Sequence, residues 1–206
     1  MMIKGIDVSK WQGVINWAKV AEDGVQFAII KAGGSDCGNY TDKNFLANVI
    51  GAATNCIHVG AYYFVGKNCT SAKEGQANAL RFYDIIKNCV LDYPVYIDFE
   101  APTAKNKQGN TDAVKAFCEQ MEALGYYVGI YASDISGFKD RLYLDQLTAY
   151  DKWVARYGSE PKYVPRYNMW QYSSKGKVNG IRGNVDMDYS KIDFAKLIRD
   201  KHLNGF

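Results

Sequence analysis

The sequence has few of the residues that proteins use to bind transition metals. It contains two histidines, His58 and His202, which lie far apart in the chain. Its five cysteines form no Cys-x-x-Cys pair and no Cys/His spacing typical of a zinc site. We therefore predict that the protein uses no metal ion and no cofactor. Because an odd number of cysteines cannot all pair within one chain, we expect most of them to be reduced and partly buried.

Long apolar runs and strong charge are also missing. No segment approaches the ~18 consecutive apolar residues of a membrane span, so we predict no membrane-spanning helix. The net charge is only +3 and the basic residues are scattered, which gives no support for a nucleic-acid partner. The first motif follows the Met-Met-Ile-Lys start directly. This start leaves no room for a signal peptide in this chain.

The chain does have the composition of an ordinary globular domain. Its 206 residues are 48% hydrophobic and 23% charged, which predicts one domain over residues 1–206. In the first two thirds, short β-branched and aromatic runs alternate with helical patterns, as in βα units around a parallel sheet. The predicted strands are 3–8, 26–32, 58–64, 94–100 and 126–132.

Helix-start signals separate several of these strands. Asp42 opens one helical pattern, Ser71 with Glu74 forms a capping-box motif before a second, and Thr111 precedes a third that stops at Gly125. The apolar faces that we expect these helices to bury contain Phe45, Val49 and Ala52, then Leu80, Tyr83 and Ile86, then Val114, Phe117 and Met121.

The last third of the chain has a different pattern of strands and connections. Strand-like runs at 152–157, 167–172 and 184–188 are joined by short connections rich in proline and glycine, which favour hairpins over helical crossovers. A final helix at about 193–202 directs Phe194, Leu197 and Ile198 inward. Eight strands with five regular crossovers predict an α/β fold of the shortened, modified TIM-like barrel type.

Acidic residues recur at the carboxyl ends of three separate strand-like runs. They are Asp7, Asp98 with Glu100, and Asp186 with Asp188. Buried carboxylates are costly unless they are paired or used, and ligand sites in barrels gather at the carboxyl ends of the strands. The pattern therefore predicts one acidic site and hydrolysis of a glycosidic bond. Taken singly, each acid also fits a structural role, such as capping a turn or ending a solvated strand.

The segment PVYIDFE contains two acids separated by one residue. On a strand, Tyr96, Asp98 and Glu100 share one face, while Ile97 and Phe99 pack on the other. The two acidic Cα atoms should then lie roughly 6.5–7 Å apart. Mutual repulsion and burial should raise the pKa of one of them, which gives an acid able to protonate a leaving oxygen.

Aromatic residues near the predicted strand ends suit a sugar-binding cleft. They are Tyr62, Tyr131, Trp153 and the run Trp170-Gln171-Tyr172. Half or more of such residues can instead be core packing, because aromatics also fill barrels. We assign Trp11 and Trp17 to packing.

Several motifs together resemble a known family. GIDVSKWQG, GAYYF, YIDFE, GIYAS, and WQYSS followed by GNVDMDYS look like the family 25 glycoside hydrolases, the Chalaropsis-type muramidases. The resemblance extends from Gly5 to about Asp193. One departure is Tyr63, where many members carry a histidine.

The resemblance implies a (β/α)₅β₃ barrel that cleaves the β-1,4 bond between N-acetylmuramic acid and N-acetylglucosamine in peptidoglycan. It implies that Glu100 is the general acid/base and that Asp98 assists it by stabilising the substrate's acetamido group with retention of configuration. Asp7 and Asp186 match further acids of the site. Tyr62, Tyr131 and Gln171 match residues of the glycan groove, and we add Trp153, Trp170 and Asp188 as candidate substrate contacts.

Two other functions remain open at this stage. A non-catalytic glycan-binding module would keep the aromatic residues without needing every acid, and a barrel hydrolase acting on chitin-like glycans would keep Asp98 and Glu100. We expect a monomer whose partner is bacterial peptidoglycan and which acts outside the cell or in the cell wall. With no signal peptide in this chain, such action would require a removed leader or a membrane pore for release.

Overall fold

Nine strands form one sheet, eight of which close into a barrel. A computed structural model describes residues 2–206. Around the barrel the order is β1, β2, β4, β5, β6, β7, β8, β9 and back to β1, while β3 pairs only with the end of β2. The strands are β1 (Ile3–Val8), β2 (Phe27–Gly34), β3 (Tyr40–Thr41), β4 (His58–Phe64), β5 (Val95–Asp98), β6 (Val128–Ser133), β7 (Asp151–Ala155), β8 (Met169–Gly176) and β9 (Val185–Ser190).

The modified barrel predicted from the sequence is confirmed, and all eight predicted strands are present with small shifts at their ends. One shift affects the site, because β5 ends at Asp98 and Glu100 lies beyond the strand. The spacing of roughly 6.5–7 Å expected for these two acids assumed a strand running to Glu100 and stays a prediction.

The last three strands are connected differently from the prediction. β8 and β9 form the expected antiparallel pair, but β7 and β8 are parallel, so the predicted hairpin between them is wrong. A parallel pair requires a long crossover, and here residues 156–168 supply it without a helix. The buried carboxylate of Asp134 fixes this crossover by accepting hydrogen bonds from the backbone N–H groups of Lys162, Tyr163 and Val164.

Five α-helices surround the sheet: α1 (Trp17–Glu22), α2 (Phe45–Thr54), α3 (Ala72–Ile86), α4 (Lys107–Ala123) and α5 (Phe194–Asp200). The sequence analysis did not predict α1. It also placed the start of α4 wrongly, because Asn106 caps this helix and the Thr111 hydroxyl instead donates to the Lys107 carbonyl inside it. Ser71 caps α3 as predicted, but Leu80 faces solvent and is 45% exposed.

Two cores share the sheet. The outer core lies between the barrel and α1–α4, and it contains Ile97 and Phe99 as predicted, together with Tyr63. The inner core fills the lower barrel with aromatic side chains, among them Phe27, Tyr96 and Trp153. Gly5 makes room for this filling, since a Cβ atom there would lie 2.2 Å from the Phe27 ring.

Helix α5 closes the end of the barrel at which the parallel strands begin. Phe194 is fully buried, with ring centroids 5.6 Å from both Tyr93 and Tyr127. The parallel strands finish at the opposite end, which is called the open end below. Of the five free cysteines, Cys69 and Cys118 are buried, Cys89 is intermediate, and Cys37 and Cys56 are exposed, so the expected partial burial holds for only part of the set.

Candidate functional site

The five predicted acids converge at the open end of the barrel. Asp7 near the end of β1 lies directly opposite Asp186 on antiparallel β9, and Asp188 follows on the same face of that strand. Asp98 ends β5 and Glu100 follows it. Asp7, Asp98, Glu100, Asp186 and Asp188 are called the acid cluster below.

A hydrogen-bonded chain runs from Tyr131 on β6 through Gln171 on β8 to Asp7 on β1. The Tyr131 hydroxyl donates to Gln171 Oε1 over 2.9 Å, and Gln171 Nε2 donates to Asp7 Oδ2 over 2.7 Å. Burial raises the pKa of Tyr131 well above its usual value, and the charges of Glu100, Asp98 and Asp7 raise it further. Tyr131 therefore lies among acids from both β1 and β5. Its hydroxyl remains a proton donor that holds Gln171 in one orientation.

Asp188 is the most deeply buried acid of the cluster. It has no exposed surface, and the Trp153 indole N–H donates to its Oδ1 over 2.7 Å. Burial raises the pKa of Asp188 to about 8. Burial also raises the pKa of Asp7 well above its usual value, with further contributions from the charges of Asp188 and Asp186. The Asp7 and Asp188 carboxyls are close enough to share a hydrogen bond when one is protonated.

Asp98 and Glu100 form the second half of the cluster. Asp98 is 4% exposed, whereas Glu100 reaches solvent. Burial and then the Glu100 charge raise the pKa of Asp98 well above its usual value, and burial raises the pKa of Glu100. A hydrogen bond with Asp98, and then the cations of Arg141 and Lys31, oppose the rise of the Glu100 pKa. Arg141 also donates from Nη1 to the Glu100 carbonyl, which fixes the backbone beyond β5.

One carboxylate oxygen of this pair is short of a hydrogen-bond donor. Among the described residues, Asp98 Oδ1 is buried and has no hydrogen-bond partner other than the neighbouring Glu100 carboxyl, with which Asp98 can share a proton. A buried acceptor without a donor is costly, so such an atom is rare unless a ligand or solvent completes it. The arrangement can therefore supply a proton from one carboxyl while a second carboxyl accepts a hydrogen bond from a bound molecule.

The predicted aromatic contacts divide into three groups. Tyr62 is half-buried at the site, with its ring centroid 6.1 Å from that of Trp153. Trp153 is only 1% exposed and lies beneath the acids, where it can support them but cannot present a face to a sugar. Trp170 points to the outer side of β8, because side chains alternate and Gln171 points inward. Its indole N–H donates to the Arg156 carbonyl.

The sequence analysis also missed or misassigned residues at the open end. Trp17 is buried as predicted, but Trp11 is 79% exposed, so its assignment to packing is wrong. Tyr157 donates to Gln171 Oε1 over 3.2 Å, although it lies outside every predicted motif. Lys31 was overlooked within the apolar run FAIIKAGG, where a single cation at the carboxyl end of a strand was the available signal.

A cavity away from the acid cluster has different chemistry. It has a volume of about 680 Å³ and lies at the strand-start end of β6–β8, lined by residues such as Tyr127, Asp151 and Asn168. Asp151 accepts hydrogen bonds from the Tyr127 hydroxyl and the Asn168 amide, so its carboxylate is already partnered. This cavity contains no second acid, which distinguishes it from the acid cluster.

Known proteins resemble this chain in sequence and in fold. The chain is 30% identical over 213 residues to "Lysozyme M1" of Streptomyces globisporus, a match that covers 95% of this chain and 70% of that protein. It is 29% identical over 191 residues to the "Autolytic lysozyme" of Clostridium acetobutylicum. That match covers 90% of this chain but only 55% of the relative. The crystal structure of the CTP1L endolysin matches with a TM-score of 0.84 and 28% identity, over 97% of this chain and 70% of that one.

The family comparison agrees with the motifs. The model of the glycosyl hydrolases of family 25 matches residues 6–181, which include Asp7, Asp98 and Glu100, while Asp186 and Asp188 lie beyond the matched segment. The chain therefore belongs to glycosyl hydrolase family 25.

Proposed function

We propose that this protein is a lysozyme that cleaves the β-1,4 bond between N-acetylmuramic acid and N-acetylglucosamine in peptidoglycan. The observation that carries the proposal is the contact between Asp98 and Glu100 at the open end of the barrel, where one buried Asp98 oxygen has no other hydrogen-bond partner among the described residues. Lysozymes among the relatives support the choice of substrate.

Glu100 acts as the general acid in this proposal. Its raised pKa and its access to solvent allow it to hold a proton and to reach the glycosidic oxygen. As Glu100 protonates the leaving oxygen, the C1–O bond breaks and the acetamido oxygen of the substrate bonds to C1. Water then attacks C1, Glu100 takes the proton of that water, and the acetamido bond to C1 breaks with net retention.

Asp98 stabilises the acetamido group during this reaction. The acetamido N–H gains positive character when its oxygen attacks C1, and Asp98 Oδ1 is a buried acceptor available for that N–H. Asp7 and Asp186 line the β1–β9 side of the sugar site and Tyr62 contacts the sugar, while the buried Gln171 holds Asp7 from below. Trp153 and Asp188 are too deeply buried for direct contact, so we assign them to positioning Asp7.

The central test replaces Glu100 with glutamine. E100Q retains the shape of the side chain but removes the transferable proton, so lysis of purified walls should fall by about 10²- to 10⁴-fold while the fold is retained. E122Q is the matched control, because Glu122 also has a raised pKa but lies at the end of α4. Near-normal lysis by E100Q would refute the assignment.

Product analysis separates this proposal from its alternatives. Mass analysis of the muropeptides should find N-acetylmuramic acid at the new reducing ends, and NMR should find the retained anomer first. Release from chitin oligomers without wall lysis would indicate a chitin-type hydrolase. Binding of walls without cleavage by the unmodified protein would indicate a glycan-binding module.

The oligomeric state of the protein and the place where it acts are also part of the proposal. We propose that the protein acts as a monomer on bacterial peptidoglycan, outside the cell or in the cell wall. Among residues 2–206, no helix combines the length and apolar character needed to cross a membrane. Light scattering in solution should give one chain per particle, and a stable dimer would contradict the monomer.

A further inference from the structure

Trp11 is exposed on a firmly held turn beside the acid cluster. It lies in the 3-10 turn Lys10–Gln12, which directly follows β1 and which Ser9 and Gln12 cap reciprocally. Asp42 accepts a hydrogen bond from the Lys10 N–H over 2.9 Å, and this anchors the same turn to the start of α2. Trp11 is 79% exposed on a fixed backbone, so its indole face is open to a ligand.

Cations and aromatic rings connect Trp11 to the catalytic pair. Lys10 Nζ lies 5.1 Å from the Trp11 ring centroid and 5.6 Å from that of Tyr40. Lys31 Nζ lies 5.7 Å from the Tyr40 ring and 5.8 Å from the Tyr62 ring. Trp11, Lys10, Tyr40, Lys31 and Tyr62 are called the lysine–aromatic row. Tyr40 is held in place within the row, since its hydroxyl donates to Asp36 over 2.9 Å.

The two lysines of the row have no acidic partner within 4.0 Å anywhere in residues 2–206. Cation–π contacts orient their ammonium groups without neutralising their charge. The row therefore presents an open indole face for a sugar ring and the Lys10 charge for carboxylates, while the Lys31 charge already acts on Asp98 and Glu100. Its continuity with Tyr62 makes it an extension of the acid cluster.

We propose that the lysine–aromatic row binds the peptide-bearing glycan strand beyond the cleaved bond, with Trp11 stacking on a sugar and Lys10 contacting carboxylates of the attached peptides. This inference rests on the proposed function. It adds that the enzyme gains rate from long, peptide-substituted strands over short or peptide-free ones, because remote contacts add binding energy to the reacting complex.

The first test compares substrates of two lengths. W11A should lower kcat/KM on polymeric peptidoglycan about tenfold, mainly through KM, and leave cleavage of the shortest cleavable fragment unchanged. V14A is the matched control, since Val14 is 96% exposed on the same loop but is not part of the row. Wild-type kinetics of W11A on the polymer, or equal losses on both substrates, would overturn the stacking role.

The second test addresses the charges. K10Q should reduce the preference for peptide-bearing strands over strands stripped of peptides, whereas K10R should preserve it. An unchanged preference in K10Q would overturn the carboxylate role of this lysine.

A binding assay separates failure of this inference from failure of the proposed function. Pull-down of E100Q and of the double variant W11A/E100Q with insoluble walls measures binding without cleavage. Weaker binding of the double variant supports the row even if the cleaved bond proves different, whereas equal binding refutes the row alone.

Discussion

At the scale of single residues, Asp188 shows how burial fixes a protonation state. Its pKa of about 8 means that it is largely neutral at pH 7, although an unfolded aspartate titrates near 4. Its Oδ2 has no partner among the described residues apart from the neighbouring Asp7 carboxyl, with which one shared proton would form a hydrogen bond. This contact raises the pKa of Asp7 and lowers that of Asp188, so we infer that Asp7 holds the shared proton and donates it to Asp188, while Gln171 donates to Asp7 Oδ2.

This protonation state predicts a pH dependence of stability. Between about pH 4 and pH 8, folded Asp188 holds a proton that the unfolded chain has released, so its contribution to the free energy of unfolding decreases as the pH rises. D188N carries no titrating group there and should lose less stability across this range. Urea unfolding at several pH values measures the difference.

The control for this experiment is D145N, which changes an exposed aspartate on the turn Leu144–Leu147. Its unfolding free energy should follow that of the unmodified protein at each pH. Equal pH slopes for D188N and the unmodified protein would show that Asp188 is already ionised at neutral pH.

At the scale of secondary-structure elements, alternation predicted some of the site and misplaced the rest. The apolar run at 3–8 is β1 as predicted, and its carboxyl end does deliver Asp7. The same alternation separates Gln171 from Trp170, so the two could not both line the site. Trp11 and Trp153 could not be assigned from the sequence, because their exposure depends on the turn after β1 and on the filling of the barrel.

The β7–β8 crossover shows a tertiary effect that local patterns did not reveal. Its proline and glycine content favoured a hairpin, yet Asp134 from the segment after β6 holds it in a parallel connection. Three backbone donors and the Arg156 guanidinium share this one buried carboxylate. No spacing in the sequence links Asp134 to residues 156–168.

We expect that removal of this carboxylate loosens the crossover. D134A leaves several donors without a partner and should lower the free energy of unfolding by about 2–4 kcal/mol, since each buried unsatisfied group costs ~1–3 kcal/mol. Urea unfolding measures the loss, and limited proteolysis should find new cuts within 156–168. D140A, at a nearby exposed position, should match the unmodified protein. Unchanged stability of D134A would mean that other contacts hold the crossover.

At the scale of the whole molecule, the two ends of the barrel have separate tasks. The end at which the parallel strands begin is closed by α5 and filled with aromatic rings, while the open end holds the acid cluster and the lysine–aromatic row. Buried acids with raised pKa values lower stability at neutral pH, so the packed end must compensate for the open end. This division predicts that changes at the closed end affect folding without affecting the chemistry.

Phe194 tests that division. F194A removes a fully buried ring from its contacts with Tyr93 and Tyr127, and should lower the free energy of unfolding by about 3–5 kcal/mol. Below the new unfolding temperature, kcat on purified walls should equal that of the unmodified protein, because the acid cluster lies at the other end. L46A, at an exposed position of α2, controls for loss of an apolar side chain. A fall in kcat of folded F194A would show that the packed end also holds the acids in their reactive geometry.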